Sequence, residues 1–486
     1  MFRFFALLVF VFVAQPILAD EELRIGVAEV EITPPLGFPM AGYYHERLAV
    51  GTTDPLKAKA IVLRGNNQAA AFVVADLTGI ARDLFLEVRQ AASEKTGIPA
   101  GHIVVSATHS HTAPSYYRNL YDLLGKETAS EKTASYSANL INNIVNAIVK
   151  ADAAASPAVL QAGSAQQVFP VSFNRRFVMR DGSVKTWQSL SNPNVIRAAG
   201  PIDPEIGLVL IKSSDGKTAR ALLSNFALHL DTVAASKKLT WSADFPYFIE
   251  RAMRNKLGDQ LISVFGTGTC GDINHSDPTR KTRNTTEIIG TSLAKTIDAA
   301  VPKLEPVKSQ NFQVKSATVR LPLQVIRKHE IEKATHLLDL VKKGEKINFF
   351  DHVAACKLLM LDHYENSPSQ VVTSDYLNWG LSKSFAGVGE SLPVEVTTMT
   401  IGSDIAIVFL PGEVFVNLGL VIKQASPFKT TLIIELSNCV ETIYIPTRAA
   451  YVGGSYEVTN STVQPGSGEL LVETALKLLQ ESVATK

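Results

Sequence analysis

The chain has 486 residues, 46% of them hydrophobic and 19% charged, with a formal net charge of +1. That composition suits a globular protein with room for one large or two medium domains. The near-neutral balance removes any electrostatic argument for nucleic acid or an anionic membrane as partner. Three cysteines, Cys270, Cys356 and Cys439, form no C-x-x-C pair, so histidine and carboxylate must supply any metal ligands.

In chain order, a positively charged start (Met1-Phe-Arg-Phe-Phe5) precedes the unbroken apolar run 6–14 and Pro16-Ile-Leu-Ala19. This is a secretory signal pattern, too short for a membrane span. It predicts cleavage after residue 19 and a secreted or periplasmic mature protein of residues 20–486. No later stretch reaches spanning length.

Apolar, β-branched runs predict strands over 23–30, 58–63, 69–75, 102–107, 159–162, 206–212, 220–226, 261–265, 312–321, 394–401, 405–410 and 431–436. Helical periodicity falls over 81–96, 133–151, 244–256, 287–301, 414–423 and 468–482. The alternation predicts an α/β fold, a layered mixed β-sheet with flanking helices. The short turns at 65–67 and 213–216 require antiparallel neighbours within it. Residues 327–366 read as a charged helical insertion between strands, a candidate lid. Its histidines, His329, His336, His352 and His363, lack ligand spacing. No internal repeat or long linker divides the rest, so one catalytic domain with insertions is the simpler organisation.

Polar chemistry gathers where apolar runs stop. The segment Ser106-Ala-Thr-His-Ser-His-Thr-Ala-Pro114 carries His109 and His111, which an extended chain points to one face. The run at 220–228 ends in His229, followed by Asp231. That at 261–265 passes through a glycine-rich turn to Asp272. The run at 405–410 ends in Pro411-Gly-Glu413, and that at 431–434 leads to Asn438 and Tyr444. Ligands of α/β sheets sit beyond the carboxyl ends of strands. Two histidines, a carboxylate and an open position match the ligand set of catalytic zinc.

At these residues the chain resembles the neutral/alkaline (non-lysosomal) ceramidases, in their N-terminal catalytic domain. Gly26-Val-Ala-Glu-Val-Glu-Ile-Thr-Pro-Pro35 with Met40-Ala-Gly-Tyr43 is similar to the family's opening, and Ala107-Thr-His-Ser-His-Thr-Ala-Pro114 to its Thr-His-Thr-His-Ser-Gly-Pro motif. Phe173-Asn-Arg175, Asn225-Phe-Ala-Leu-His229, Ser242-Ala-Asp244 with Tyr247, Gly271-Asp272, Leu410-Pro-Gly-Glu413 and Tyr444 follow in the family's order.

The resemblance implies a Zn²⁺ held by His109, His229, Glu413 and Tyr444. It implies His111 beside the reacting carbonyl and Arg175 as an oxyanion-stabilising residue, with ceramide or another small-molecule or lipid N-acyl compound as substrate. Asp272 is expected to orient this group. One departure stands out. Asn274 occupies the place of the family's serine in its Gly-Asp-Val-Ser-Pro-Asn motif, and an amide can donate a hydrogen bond but cannot act as a hydroxyl nucleophile. The resemblance also leaves no room after 482 for the C-terminal β-sandwich of typical members.

Overall fold

Strands such as Gln68–Ala75 and Ile103–Ala107 are almost wholly apolar and buried on both faces, as expected where a sheet is covered on each side. The computed structural model describes residues 22–65, 68–116, 130–309, 311–366 and 382–484; the predicted signal segment lies outside them.

Among the described residues, a nine-stranded sheet runs in the order Ile262–Thr267, Ala219–Phe226, Glu205–Ser213, Ser156–Gln166, Arg24–Glu31, Lys57–Gly65, Gln68–Ala75 and Ile103–Ala107, with Glu305–Pro306 alongside Ser156–Gln166. A four-stranded sheet orders Phe312–Pro322, Ser391–Ile401, Ile405–Phe409 and Thr430–Ile434. Both are mixed. The hairpins across 65–68 and 213–219 are antiparallel. Gln68–Ala75 with Ile103–Ala107, Ala219–Phe226 with Ile262–Thr267, and Ile405–Phe409 with Thr430–Ile434 are parallel.

The period-2 alternation along each strand sets the layers. One face of each sheet supplies a shared core that includes Ile61, Phe72, Val104, Met399, Ile407, Phe409 and Leu432. The opposite face of the large sheet packs on helices Arg82–Thr96 and Ser130–Ala153 near one end, and on Phe245–Leu257 and Thr286–Ala300 near the other. The small sheet's outer face is covered by Val416–Ala425, Ser467–Ala484 and the predicted insertion. The layered mixed α/β architecture is as expected, except that the strands divide between two sheets packed face to face.

The insertion is a pair of helices, Lys328–Lys342 and Phe349–Glu365, between the antiparallel strands Phe312–Pro322 and Ser391–Ile401. His329 and His336 are exposed, His352 is half-buried, and His363 is buried with Nε2 donating to the Ser382 carbonyl at 2.9 Å. All three cysteines are buried and unbridged.

Candidate metal centre

The parallel strands end at a common edge, and the loops beyond them build the site. After Ile103–Ala107 the backbone turns sharply. His109 takes the left-handed conformation (φ 72°), and its N–H and that of Ser110 both donate to the Leu77 carbonyl. The two histidines do converge. The cause is this turn and not the alternation of an extended strand, because the strand stops at Ala107. His111 N–H donates to Leu230 O, and Ser110 forms a single parallel bridge with Leu230, which brings the loop carrying His229 alongside.

Glu413 and Tyr444 arrive together, since Glu413–Val414 and Tyr444–Ile445 form a short parallel pair with those two residues opposite each other. The Cys270–Asp272 loop closes the floor. A Cβ on Gly271 would lie 2.6 Å from the Glu413 carbonyl oxygen, so only glycine lets the two loops touch.

Four donor atoms meet in this space. His109 Nε2 lies 3.0 Å from His229 Nε2 and 3.3 Å from His111 Nε2. Glu413 Oε2 is 3.4 Å from both His109 Nε2 and His229 Nε2. The outer nitrogens fix the tautomers. His109 Nδ1 sits 2.7 Å from Thr78 O and His229 Nδ1 3.0 Å from Cys270 O. A ring nitrogen against a carbonyl must donate, so each Nε2 presents a lone pair inward. Two lone pairs facing each other at 3.0 Å cannot form a hydrogen bond, and Glu413 Oε2 has no hydrogen-bond partner. Arg175 Nη1 can donate to His229 Nε2 and His111 Nε2 to His109 Nε2, which leaves Glu413 Oε2 as the buried acceptor without a donor. Such an acceptor calls for a cation. His109, His111 and His229 form a group that can hold a metal ion.

Burial is the main cause holding the His111 imidazole well below its ordinary pKa, with His109 and His229 adding to it; burial next to Arg175 takes His229 down to about 4. Burial alone would raise Glu413, but positive charge at His109 and His229 outweighs it and holds the carboxylate well below its usual range. Burial and the Glu413 charge push the Tyr444 phenol up. Neutral imidazoles and an ionised carboxylate are the ligand forms of these groups.

Arg175 is buried against the centre. Its guanidinium reaches His229 Nε2 at 3.2 Å and donates to Tyr444 Oη (3.0 Å), Gly271 O (2.9 Å) and Glu457 Oε1 (2.8 Å). Asp272 accepts from Asn174 Nδ2 (2.7 Å) and Val416 N (2.9 Å), and its carbonyl accepts from Arg175 N. It thus ties the arginine's strand to the helix that follows Glu413. Asn274 is buried opposite Phe173, in the short antiparallel pair that leads into Arg175, and its amide oxygen accepts from Ser276 N at 3.0 Å.

A cavity of about 90 Å³ opens onto the donor group, lined by His109, His111, Glu413 and Tyr444 together with Tyr44, Tyr456, Cys356, Lys357 and Met360. The insertion helix Phe349–Glu365 therefore roofs the site. Sequence reasoning missed Tyr456, whose ring lies 5.7 Å from that of Tyr444. It also missed Glu457, and His275, whose Nδ1 pairs with Asp231 Oδ1 at 2.8 Å. No spacing rule points to these three, because each acts through a partner distant in sequence.

Fold and site together define an α/β protein with a buried histidine–carboxylate group, open to a roofed cavity, at the carboxyl edge of parallel strands. Residues 23–296 match the family model of neutral/alkaline non-lysosomal ceramidases, N-terminal, and the chain belongs to that family of ceramidase-like hydrolases. It is similar in structure to the neutral ceramidase from Pseudomonas aeruginosa, at TM-score 0.68 and 17% identity over 95% of this chain and 75% of that one. A solved ceramidase complexed with C2 matches at TM-score 0.68 and 18% identity, covering 95% and 76%. No curated protein matches the chain in sequence.

Proposed function

We propose that the protein is an exported zinc-dependent hydrolase that cleaves the amide bond of ceramide or another N-acyl compound with water as nucleophile. The observation that carries this reading is the pair of inward Nε2 lone pairs, 3.0 Å apart, facing the unpartnered Glu413 Oε2. Three of the proposed ligand atoms, His109 Nε2, His229 Nε2 and Glu413 Oε2, lie within 3.0–3.4 Å of one another, close enough to share one ion. His109, His229, Glu413 and Tyr444 would hold the ion. Bound zinc polarises a carbonyl and lowers the pKa of water to about 7.

The chain's own residues supply the rest. His111 lines the cavity, and its neutral ring is suited to take a proton from water and pass it to the leaving amine. Arg175 keeps a permanent charge behind Tyr444 and His229, where it favours negative charge developing on the carbonyl oxygen. Asp272 orients this arginine's strand. Because Asn274 offers an amide, a water nucleophile is the economical choice. Export is supported by the charged and apolar segments before residue 20, and no described helix is long and apolar enough to cross a membrane.

A non-lipid amide or ester is the second reading, favoured by the small roofed cavity. Metal analysis of the purified protein with a screen of short and long N-acyl substrates tests both. About one zinc per chain and hydrolysis abolished in His109→Ala are expected. Stoichiometric zinc with turnover indifferent to acyl length selects the second reading. Absence of zinc, or an unchanged rate in His109→Ala, rejects the mechanism.

A further inference from the structure

Next to the donor group, and not among the residues that line the cavity, lies a carboxyl group for which the site chemistry has no use. Glu435 follows the strand Thr430–Ile434 and is completely buried. Its Oε2 accepts from Val414 N at 2.6 Å, and Val414 is the residue after Glu413. Its Oε1 accepts from Cys270 Sγ at 3.1 Å, and the Cys270 carbonyl is the acceptor that fixes the His229 ring. Its backbone N–H donates to Thr267 O, while Thr267 Oγ1 donates to Thr108 O, immediately before His109. One residue thus touches, directly or through one neighbour, the three loops that carry His109, His229 and Glu413.

We propose that Glu435 is a positioning residue of the metal centre, a buried brace that holds those three loops in register for metal binding. The inference rests on the metal reading above. A buried carboxyl is costly unless its oxygens are hydrogen-bonded, and here both are, each by a group adjoining a donor residue. Groups that orient ligands in this way typically govern metal affinity by about 10–100-fold.

Glu435→Gln keeps the shape but leaves one oxygen to serve two donors. Glu441→Gln is the matched control. Glu441 is equally buried and accepts from Arg82 N and Ser382 Oγ, on the side of the helix Arg82–Thr96. Zinc affinity, measured by chelator competition on the purified full chain, and urea unfolding of the metal-free forms are compared for wild type and both variants. Weakening of zinc binding by about tenfold or more in Glu435→Gln alone, with metal-free stability no lower than in Glu441→Gln, is the expected result. Zinc binding within about threefold of wild type, or equal weakening in Glu441→Gln, overturns the proposal. Should Glu435→Gln not fold, Cys270→Ala removes one arm of the brace: weaker zinc binding supports the role and unchanged binding overturns it. Wild-type protein that takes up no zinc overturns this inference and the proposed function together, whereas normal wild-type uptake with an unaffected Glu435→Gln overturns the brace alone.

Discussion

His275 shows how a single buried side chain can tie pH to the stability of a site wall. Burial would lower its pKa, but Asp231 at 2.8 Å outweighs burial and raises it. Burial would likewise raise Asp231, and His275 outweighs that and depresses it. The signs separate two windows. The histidine's contribution is fully present below its unfolded pKa of about 6.5 and is lost as pH rises through the higher folded value. The aspartate's contribution is present above its unfolded value of about 4 and is lost only in strong acid. His275→Gln should therefore cost about 3 kcal/mol at pH 6, where the pair is ionised, and progressively less as pH rises through the histidine's raised folded pKa, where wild type loses the contribution too. Urea unfolding across a pH series from 6 upward measures this; a loss that does not change with pH across the whole series would show that the pair is not ionised. His109 is a second residue-scale case. Its left-handed φ of 72° is a strained choice for a residue with a Cβ, and it is retained where the ring must leave the strand direction. The paired histidines were legible in the sequence, but this dihedral was not, because residue type alone does not announce a left-handed turn.

At the scale of elements, the helix Phe349–Glu365 changes the meaning of the insertion. Its periodicity and charge marked it as helical in the sequence, and its place between two strands followed from their spacing. That it roofs the cavity did not follow, because Cys356, Lys357 and Met360 reach the site only through tertiary packing. At its first turn, Phe349 is 43% exposed, yet its ring stacks on Tyr456 (5.9 Å, 15°) and meets Tyr44 edge-on at 5.9 Å. Trp187 lies 4.7 Å from Tyr456 and 6.5 Å from Phe349. These rings come from four separate segments and lead from Tyr444 toward solvent, a surface suited to an aliphatic chain. Phe349→Ala should lower kcat/KM for long-chain N-acyl substrates about tenfold while sparing short ones and leaving the melting temperature nearly unchanged. An equal loss for short and long chains would remove Phe349 from substrate selection. The short elements here, Val184–Thr186 before Trp187 and Tyr456–Asn460, went unseen in the sequence. Runs of three to five residues carry too little periodicity to stand out from loops.

On the scale of the whole molecule, the centre depends on two sheets meeting face to face. His109 and His229 follow strands of the large sheet, while Glu413 and Tyr444 follow strands of the small one. The sequence marked all four as strand-end residues, but its alternating patterns do not say which strands share a sheet. The apolar layer between the sheets fixes their relation, and Phe409 on the small sheet meets Phe72 on the large one at a ring separation of 5.5 Å. Because one core joins both sheets, we predict that residues 20–486 unfold as one cooperative unit. Calorimetry should give a single transition whose van't Hoff and calorimetric enthalpies agree. Phe409→Ala should lower stability by about 3–5 kcal/mol without splitting that transition. It should also weaken zinc binding, although Phe409 lies in the core, since slack between the sheets separates the histidines from Glu413 and Tyr444. Two resolved transitions would make the sheets separate folding units, and the donor group would then be assembled by docking after each had folded.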